Sequence, residues 1–318
     1  MPPSTSIVSS AEAERKREAA FAAAGPFATN DPATVRWLLC GRGRPVDVTS
    51  RSPYTVAVEE GGAARVYYQD IERSRVEGEE RWEELGLEPV PYPWFEPLPV
   101  ELSEVETALA PLRRALASEE AERYRAAGAD AAAAMVEAIE QLEPHMSELD
   151  AAGELSARVF VRGLSPFVVL VAGEERQPLH RHPLPTGRPL GRHALLAVTA
   201  EREGLHVSLT RLVSFGEPPA GLAELVRAAA EVDAAMLNAS RPGVTTGEVH
   251  GREVFATPGE PTPLPELCAV AWNPSIAGGA KSEDTALVSP DGVEVLTRTQ
   301  SLPEIESRGV ARPLVAPL

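Results

Sequence analysis

The stretch that most limits what this chain can fold into runs from His180 to Gly216, HRHPLPTGRPLGRHALLAVTAEREGLHVSLTRLVSFG. Its apolar runs at residues 194–199 and 205–213 have the length and composition of strands, and Glu203-Gly204 between them supplies a turn. A buried hairpin is therefore expected, with a histidine pair, His180 and His182, in the loop ahead of it. Upstream, residues 167–172 (FVVLVA) form a continuous apolar run, the pattern of a strand covered on both faces. Downstream, residues 219–238 place Leu222, Leu225, Val226, Ala229, Val232 and Met236 on one side of a helix suited to pack on a sheet.

The amino-terminal third reads differently. Residues 1–10 are rich in Pro and Ser without periodicity and are expected to be a disordered tail. A helix at 11–24, ended by Gly25-Pro26, precedes expected strands at 35–40, 55–59 and 64–69 and a helix from Asp70 to about Leu85. Five prolines within Pro89–Pro99 predict a stiff connector at the edge of this first domain. A linker helix at 103–116, a longer helix opened by Ser118 and a third at 147–162 follow. The boundaries drawn from this pattern are a first domain over 11–100, a linker helix over 101–117 and a second domain over 118–318.

Charge and cysteine content narrow the function classes. With 47 acidic and 30 basic side chains, the formal charge of −17 disfavours nucleic acid and anionic lipid as partners. No run reaches the ~18 apolar residues that span a bilayer, and the start of the chain lacks a signal peptide's apolar segment, so a cytoplasmic protein is expected. Cys40 and Cys268 sit in apolar surroundings and read as buried free thiols. Neither a glycine-rich phosphate loop, a G-x-S-x-G elbow, a C-x-x-C pair nor an H-E-x-x-H helix occurs.

The hairpin, the Ser240–Thr245 segment SRPGVT and the Gly279–Thr297 segment GAKSEDTALVSPDGVEVLT together resemble the carboxy-terminal domain of the creatinase, prolidase and aminopeptidase P family. The resemblance covers residues 118–318, with a weaker match at 30–100 to the family's amino-terminal domain. It implies an α/β (α+β) fold, a small amino-terminal α/β domain followed by a pita-bread domain. In the family's metallopeptidases two hairpin aspartates, a later histidine and two glutamates hold two metal ions. Anchored on Thr210-Arg211, the aspartate positions fall on Ser208 and, eleven residues earlier, Ala197; the first glutamate falls on Asn273 and the second on Glu283. The histidine segment is shortened between 244 and 268, where His250 stands seven residues after Gly243. One carboxylate among these positions is too little negative charge for a di-metal site. The resemblance so mapped predicts no metal, no cofactor and no metallopeptidase activity.

Two readings stay open at this level. One is a non-catalytic or site-completing subunit, in a homodimer or a heterodimer with a full-length relative. The other is a metal-independent, creatinase-like enzyme in which His182 is acid and base on a small amine, guanidino or amide substrate, joined by His180, Arg211 and Glu283.

Overall fold

The computed structural model describes residues 10–45, 51–246 and 260–318. Nearly all of the expected tail, and His250, lie outside these residues. The chain divides into two compact units, one carrying the sequence up to Glu120 and the other most of the remainder.

The amino-terminal unit contains α1 (Ser10–Ala24), β1 (Phe27–Thr29), α2 (Pro32–Leu38), β2 (Thr55–Val58), β3 (Ala64–Gln69), α3 (Arg73–Arg75), β4 (Glu88–Tyr92) and α4 (Glu106–Arg114). Its four strands form one sheet in the order β1-β2-β3-β4, antiparallel except for the parallel β3-β4 pair. Three local expectations are corrected here. Residues 35–40 are not a strand; most of them lie in α2, because Asp31 accepts hydrogen bonds from the backbone N–H groups of Ala33 and Thr34 at 3.0 Å each and Pro32 fills the first turn. Asp70–Leu85 is not one helix but a series of short turns, with Arg81 in the left-handed region at φ 45°. The break leaves Trp82 wholly buried, edge-on to Tyr54 and Tyr68 at centroid distances of 5.0 and 5.8 Å. Finally, Pro89 and Pro91 lie in β4, at the sheet edge, where a missing N–H is tolerated. Leu109 of α4 is wholly buried in this unit's core.

The second unit contains α5 (Ser118–Ile139), α6 (Glu148–Val161), β5 (Ser165–Gly173), β6 (His193–Arg202), β7 (Leu205–Ser214), α7 (Ala220–Ala239), β8 (Cys268–Trp272), β9 (Ser275–Ile276), β10 (Ala280–Lys281), β11 (Glu283–Ser289), β12 (Gly292–Val295), β13 (Glu304–Ser307), β14 (Val310–Pro313) and β15 (Ala316–Pro317). The main sheet runs β12-β11-β7-β6-β5, with β8 also paired to β11 and β15 parallel to β7. Glu203 and Gly204 have φ of 55° and 79°, the conformation that a two-residue hairpin turn requires of both residues.

Strand alternation sorts the hairpin side chains between two cores. Ala194, Leu196, Val198, Val207, Leu209 and Val213 pack with α5 and α6, whereas Leu195, Ala197 and Leu212 pack with Leu222, Val226 and Ala229 of α7. Two expectations are amended. β5 is an edge strand whose Phe167 and Val168 are exposed, so its apolar run is not covered along its whole length. On α7, Val232 is exposed and Asp233 is buried, because Asp233 joins an internal ion network. Cys40 and Cys268 are buried and not joined in a disulfide. No described helix is long and apolar enough to cross a membrane.

Candidate functional site

The loop that carries the histidine pair is irregular but tightly held. Glu148, the first residue of α6, is wholly buried, and its carboxylate accepts from the N–H of Gly173 (2.9 Å), the N–H and hydroxyl of Thr186 (2.9 and 2.7 Å) and the Arg176 guanidinium. Ser147 caps α6 in a reciprocal pair with Asp150, which fixes where Glu148 starts the helix. At the far end of the loop Arg192 pairs with Glu174 and holds that carboxyl well below its usual range, at about 2. Within this frame His180 and His182 are exposed.

Of the positions assigned to the family's metal ligands, Asn273 and Glu283 are in direct contact. Thr199 and Ser208 share a hydroxyl–hydroxyl hydrogen bond of 2.8 Å across the hairpin, and Thr210, two residues along β7, donates to Glu283 Oε2 at 2.5 Å. Glu283 lies opposite Thr210 in the β7-β11 register. Asn273 Nδ2 donates to the other oxygen, Oε1, at 2.9 Å, and the Lys281 ammonium stands 3.7 Å from Oε2. Ala197, on the same side as Thr199 by alternation, is buried among leucines. Lys281 is itself buried, and burial pulls its pKa down against the opposing pull of Glu283. His182 belongs to this neighbourhood: burial first, then Lys281 and Arg181, lower its pKa, while Glu283 raises it.

Arg211 is not brought into that group. Its side chain turns to Asp284 (2.8 Å), the Thr299 hydroxyl (2.7 Å) and the carbonyls of Thr210 (2.7 Å), Thr297 (2.8 Å) and Glu283 (3.2 Å). It is 1% exposed and fully bonded, so what it does here is tie β7 to β11 and the segment after β12. Asp284 also receives Arg312 at 2.6 Å, and the same Arg312 nitrogen lies 2.6 Å from Asp233. Asp233 accepts from Ser282 as well, at 2.6 Å, yet burial, with a smaller push from neighbouring Asp284, raises its pKa to about 6 against the opposing pull of Arg312 and Ser282.

Sequence reasoning missed three residues at this site. Glu148 shapes the histidine loop, Lys281 sits against Glu283, and Gln177, 1% exposed, donates from Nε2 to the Gly279 carbonyl at 2.5 Å. Only Lys281 left a usable trace: it stands two residues before Glu283, the spacing of same-side neighbours in extended chain.

The donor set does not fit a pair of divalent cations. Both oxygens of the single carboxylate are engaged by hydrogen-bond donors, a buried ammonium lies beside one of them, and the oxygen left without a partner, Asn273 Oδ1, is neutral. Among the described residues no group of three or more His, Cys, Asp or Glu side chains is placed to hold a metal ion.

Comparison with known proteins sets this geometry in a lineage. Residues 122–253 match the model of metallopeptidase family M24. The structure is similar to that of dipeptidase PepE from Mycobacterium ulcerans, with a TM-score of 0.71 and 15% identity over 98% of this chain and 100% of that one. It is also similar to the prolidase from Pyrococcus horikoshii OT3, with a TM-score of 0.71 and 16% identity over 93% of this chain and 100% of that one. The prolidase from Pyrococcus furiosus matches with a TM-score of 0.66 and 20% identity, over 78% and 91% of the two chains. No curated protein matches by sequence. By sequence, residues 122–253 match the M24 family model, and over nearly its whole length the chain has the pita-bread fold of the dipeptidase and prolidases named above.

Proposed function

We propose that this chain is a metal-independent member of its family that serves as a non-catalytic or site-completing subunit, paired with a second copy or with a full-length relative. The observation that carries the reading is the state of Glu283: the sole carboxylate at the mapped ligand positions is bonded to Thr210 and Asn273 and neighbours Lys281. The apolar packing around it is kept, with Leu195, Ala197 and Leu212 buried against α7, so the scaffold is specified apart from any metal chemistry. Metal analysis of the purified chain after equilibration with Mn²⁺, Co²⁺ or Zn²⁺ tests the first half. Substoichiometric metal is expected, and one or two ions per chain that disappear in Glu283→Ala would overturn it. Affinity purification from the native host tests the second half, with a stoichiometric pita-bread relative or a homodimer as the expected result and a monomer as the refuting one.

A creatinase-like enzyme is the second reading. What favours it is the electrostatic neighbourhood that His182 shares with Lys281 and Glu283. On this reading His182→Ala abolishes turnover of a small amine, guanidino or amide substrate while leaving the fold intact. Unchanged turnover removes His182 from the chemistry. Arg211 enters neither reading as a contact to substrate, since its donors are consumed within the sheet.

A further inference from the structure

We propose that the apolar patch formed by the end of α6 and the start of β5 is where a second copy of this chain docks, patch against patch across a two-fold axis. The inference rests on the pairing half of the reading above and names its surface and its partner.

Phe160 and Val161 close α6, and Phe167 and Val168 lie near the start of β5. Their exposures are 58, 85, 45 and 43%, high for four large apolar side chains within nine residues. A tight turn joins the two pairs: the Gly163 N–H donates to the Phe160 carbonyl at 2.9 Å and the Leu164 N–H to the Val159 carbonyl at 3.2 Å. Val159 and Leu164 of the same segment already occupy the core beneath, with Leu155 and Val171. The Phe167 ring is further held edge-on to His206, at a centroid distance of 4.9 Å. The patch is thus fixed facing outward.

Strand addition is not how it would be covered. β5 is a sheet edge, but Pro166 lacks an N–H and a bulge between Pro166 and Val168 breaks the register there, so the contact is one of side chains. Two features select a second copy as the occupant. The first is area. The four side chains expose roughly 450 Å² per chain, and a two-fold contact, which uses the same patch on both sides, would cover roughly 900 Å², the apolar content of a standard-size interface. The second is charge. Copies that each carry a formal −17 repel unless the meeting face is balanced. Around the patch Arg158 is bonded to Glu154 at 2.7 Å, Arg162 to Glu137 at 2.6 Å and Arg202 to Asp130 at 2.6 Å, while Glu201, opposite Ser165, is buried. Like can meet like across such a rim, whereas a basic partner would find no excess of acid to bind.

Sedimentation velocity of the full chain at micromolar concentrations tests the assignment. The parent is expected to be a dimer, weakened about a hundredfold by Phe160→Glu/Phe167→Glu. Trp94→Glu/Phe95→Glu, the same change at the exposed aromatic pair of the amino-terminal unit, is expected to leave the dimer unaltered. Mixing Phe160→Glu/Phe167→Glu with Phe160→Lys/Phe167→Lys should restore association, because a patch-to-patch contact sets the introduced charges against each other. Circular dichroism separates a lost contact from a lost fold, and Val161→Glu, a single change at the most exposed of the four, gives the same reading should the double variants unfold. A monomeric parent, a dimer that survives the Glu substitutions, or a mixture that stays apart overturns the proposal. A surviving dimer, or a monomer that copurifies with a full-length relative, removes this surface and leaves the pairing reading standing; a monomer without a relative removes both.

Discussion

Glu283 and Asp284 are neighbours on β11, and consecutive side chains of a strand point to opposite sides. Their surroundings have little in common. Asp284 is 2% exposed and receives two arginines, Arg211 and Arg312, plus the Thr297 hydroxyl at 2.6 Å, in a network that also recruits Asp233 and Ser282. Glu283 meets a threonine, an asparagine amide and one lysine. One side retains dense, paired charge; the other carries a single carboxylate with one lysine among otherwise neutral groups. Buried ions persist where they are locked to one another, and the positions mapped to metal ligands, where a bound cation would have supplied the compensation, hold an alanine, a serine and an asparagine.

The contrast can be broken experimentally, and the largest effect is expected on the charged side. Asp284→Ala leaves the buried Arg211 guanidinium without a carboxylate and Arg312 with Asp233 alone, and should lower unfolding stability by about 3–5 kcal/mol in urea titrations; a loss under about 1 kcal/mol would mean that the network is not integral to the sheet. Next comes Asp233. Its folded pKa of about 6 exceeds the ordinary 3.8, so the native state keeps a proton that the unfolded chain releases, and stability from this group is present at low pH and lost as pH rises through about 6. The full excursion is about 3 kcal/mol. Asp233→Asn, which mimics the protonated form, should therefore gain on the parent protein between pH 4 and pH 7, and a pH-independent difference in melting temperature would refute the shift.

On the neutral side the effects are smaller. Ala197→Asp sets an unpaired carboxyl among Leu195, Leu212 and Leu222 and should cost about 2 kcal/mol. Recovery of that loss by added Mn²⁺ would show that this side still accepts a cation and would collapse the distinction. Glu283→Gln keeps an acceptor oxygen for one of Thr210 and Asn273 and turns its amide N–H groups toward the other, and should cost about 1 kcal/mol by denaturant midpoint. A loss as large as that of Asp284→Ala would make the two sides equivalent.

Much of this arrangement was legible in the sequence, for physical reasons that differ by element. The hairpin announced itself because alternation and turn chemistry agree at Glu203-Gly204. The assignment of Ala197, Ser208, Asn273 and Glu283 came from the family pattern alone, whereas the bonds of Thr210 and Asn273 to Glu283 emerge only from the strand pairing. At 35–40 an apolar run misled because the stronger signal lay outside it, in the Asp31-Pro32 helix start. The broken segment after Asp70 owes its shape to Trp82 turning into an aromatic cluster, a demand no local propensity records. Arg211 was legible as a conspicuous charge but not as a tie, because its partners Asp284, Thr297 and Thr299 are more than seventy residues distant. Gln177 was hidden for the same reason, its partner Gly279 being 102 residues on, and Glu148 because its partners, 25 to 38 residues on, lie outside any local pattern.

The grip of Glu148 on Gly173, Arg176 and Thr186 has a practical corollary. One fully enclosed acid works as a clasp, so the tip of the segment, His180 to Pro183, can be rewritten by directed evolution while its two ends stay put. A library that randomises the tip should keep its folded yield, whereas one that touches residue 148 should empty itself of soluble members.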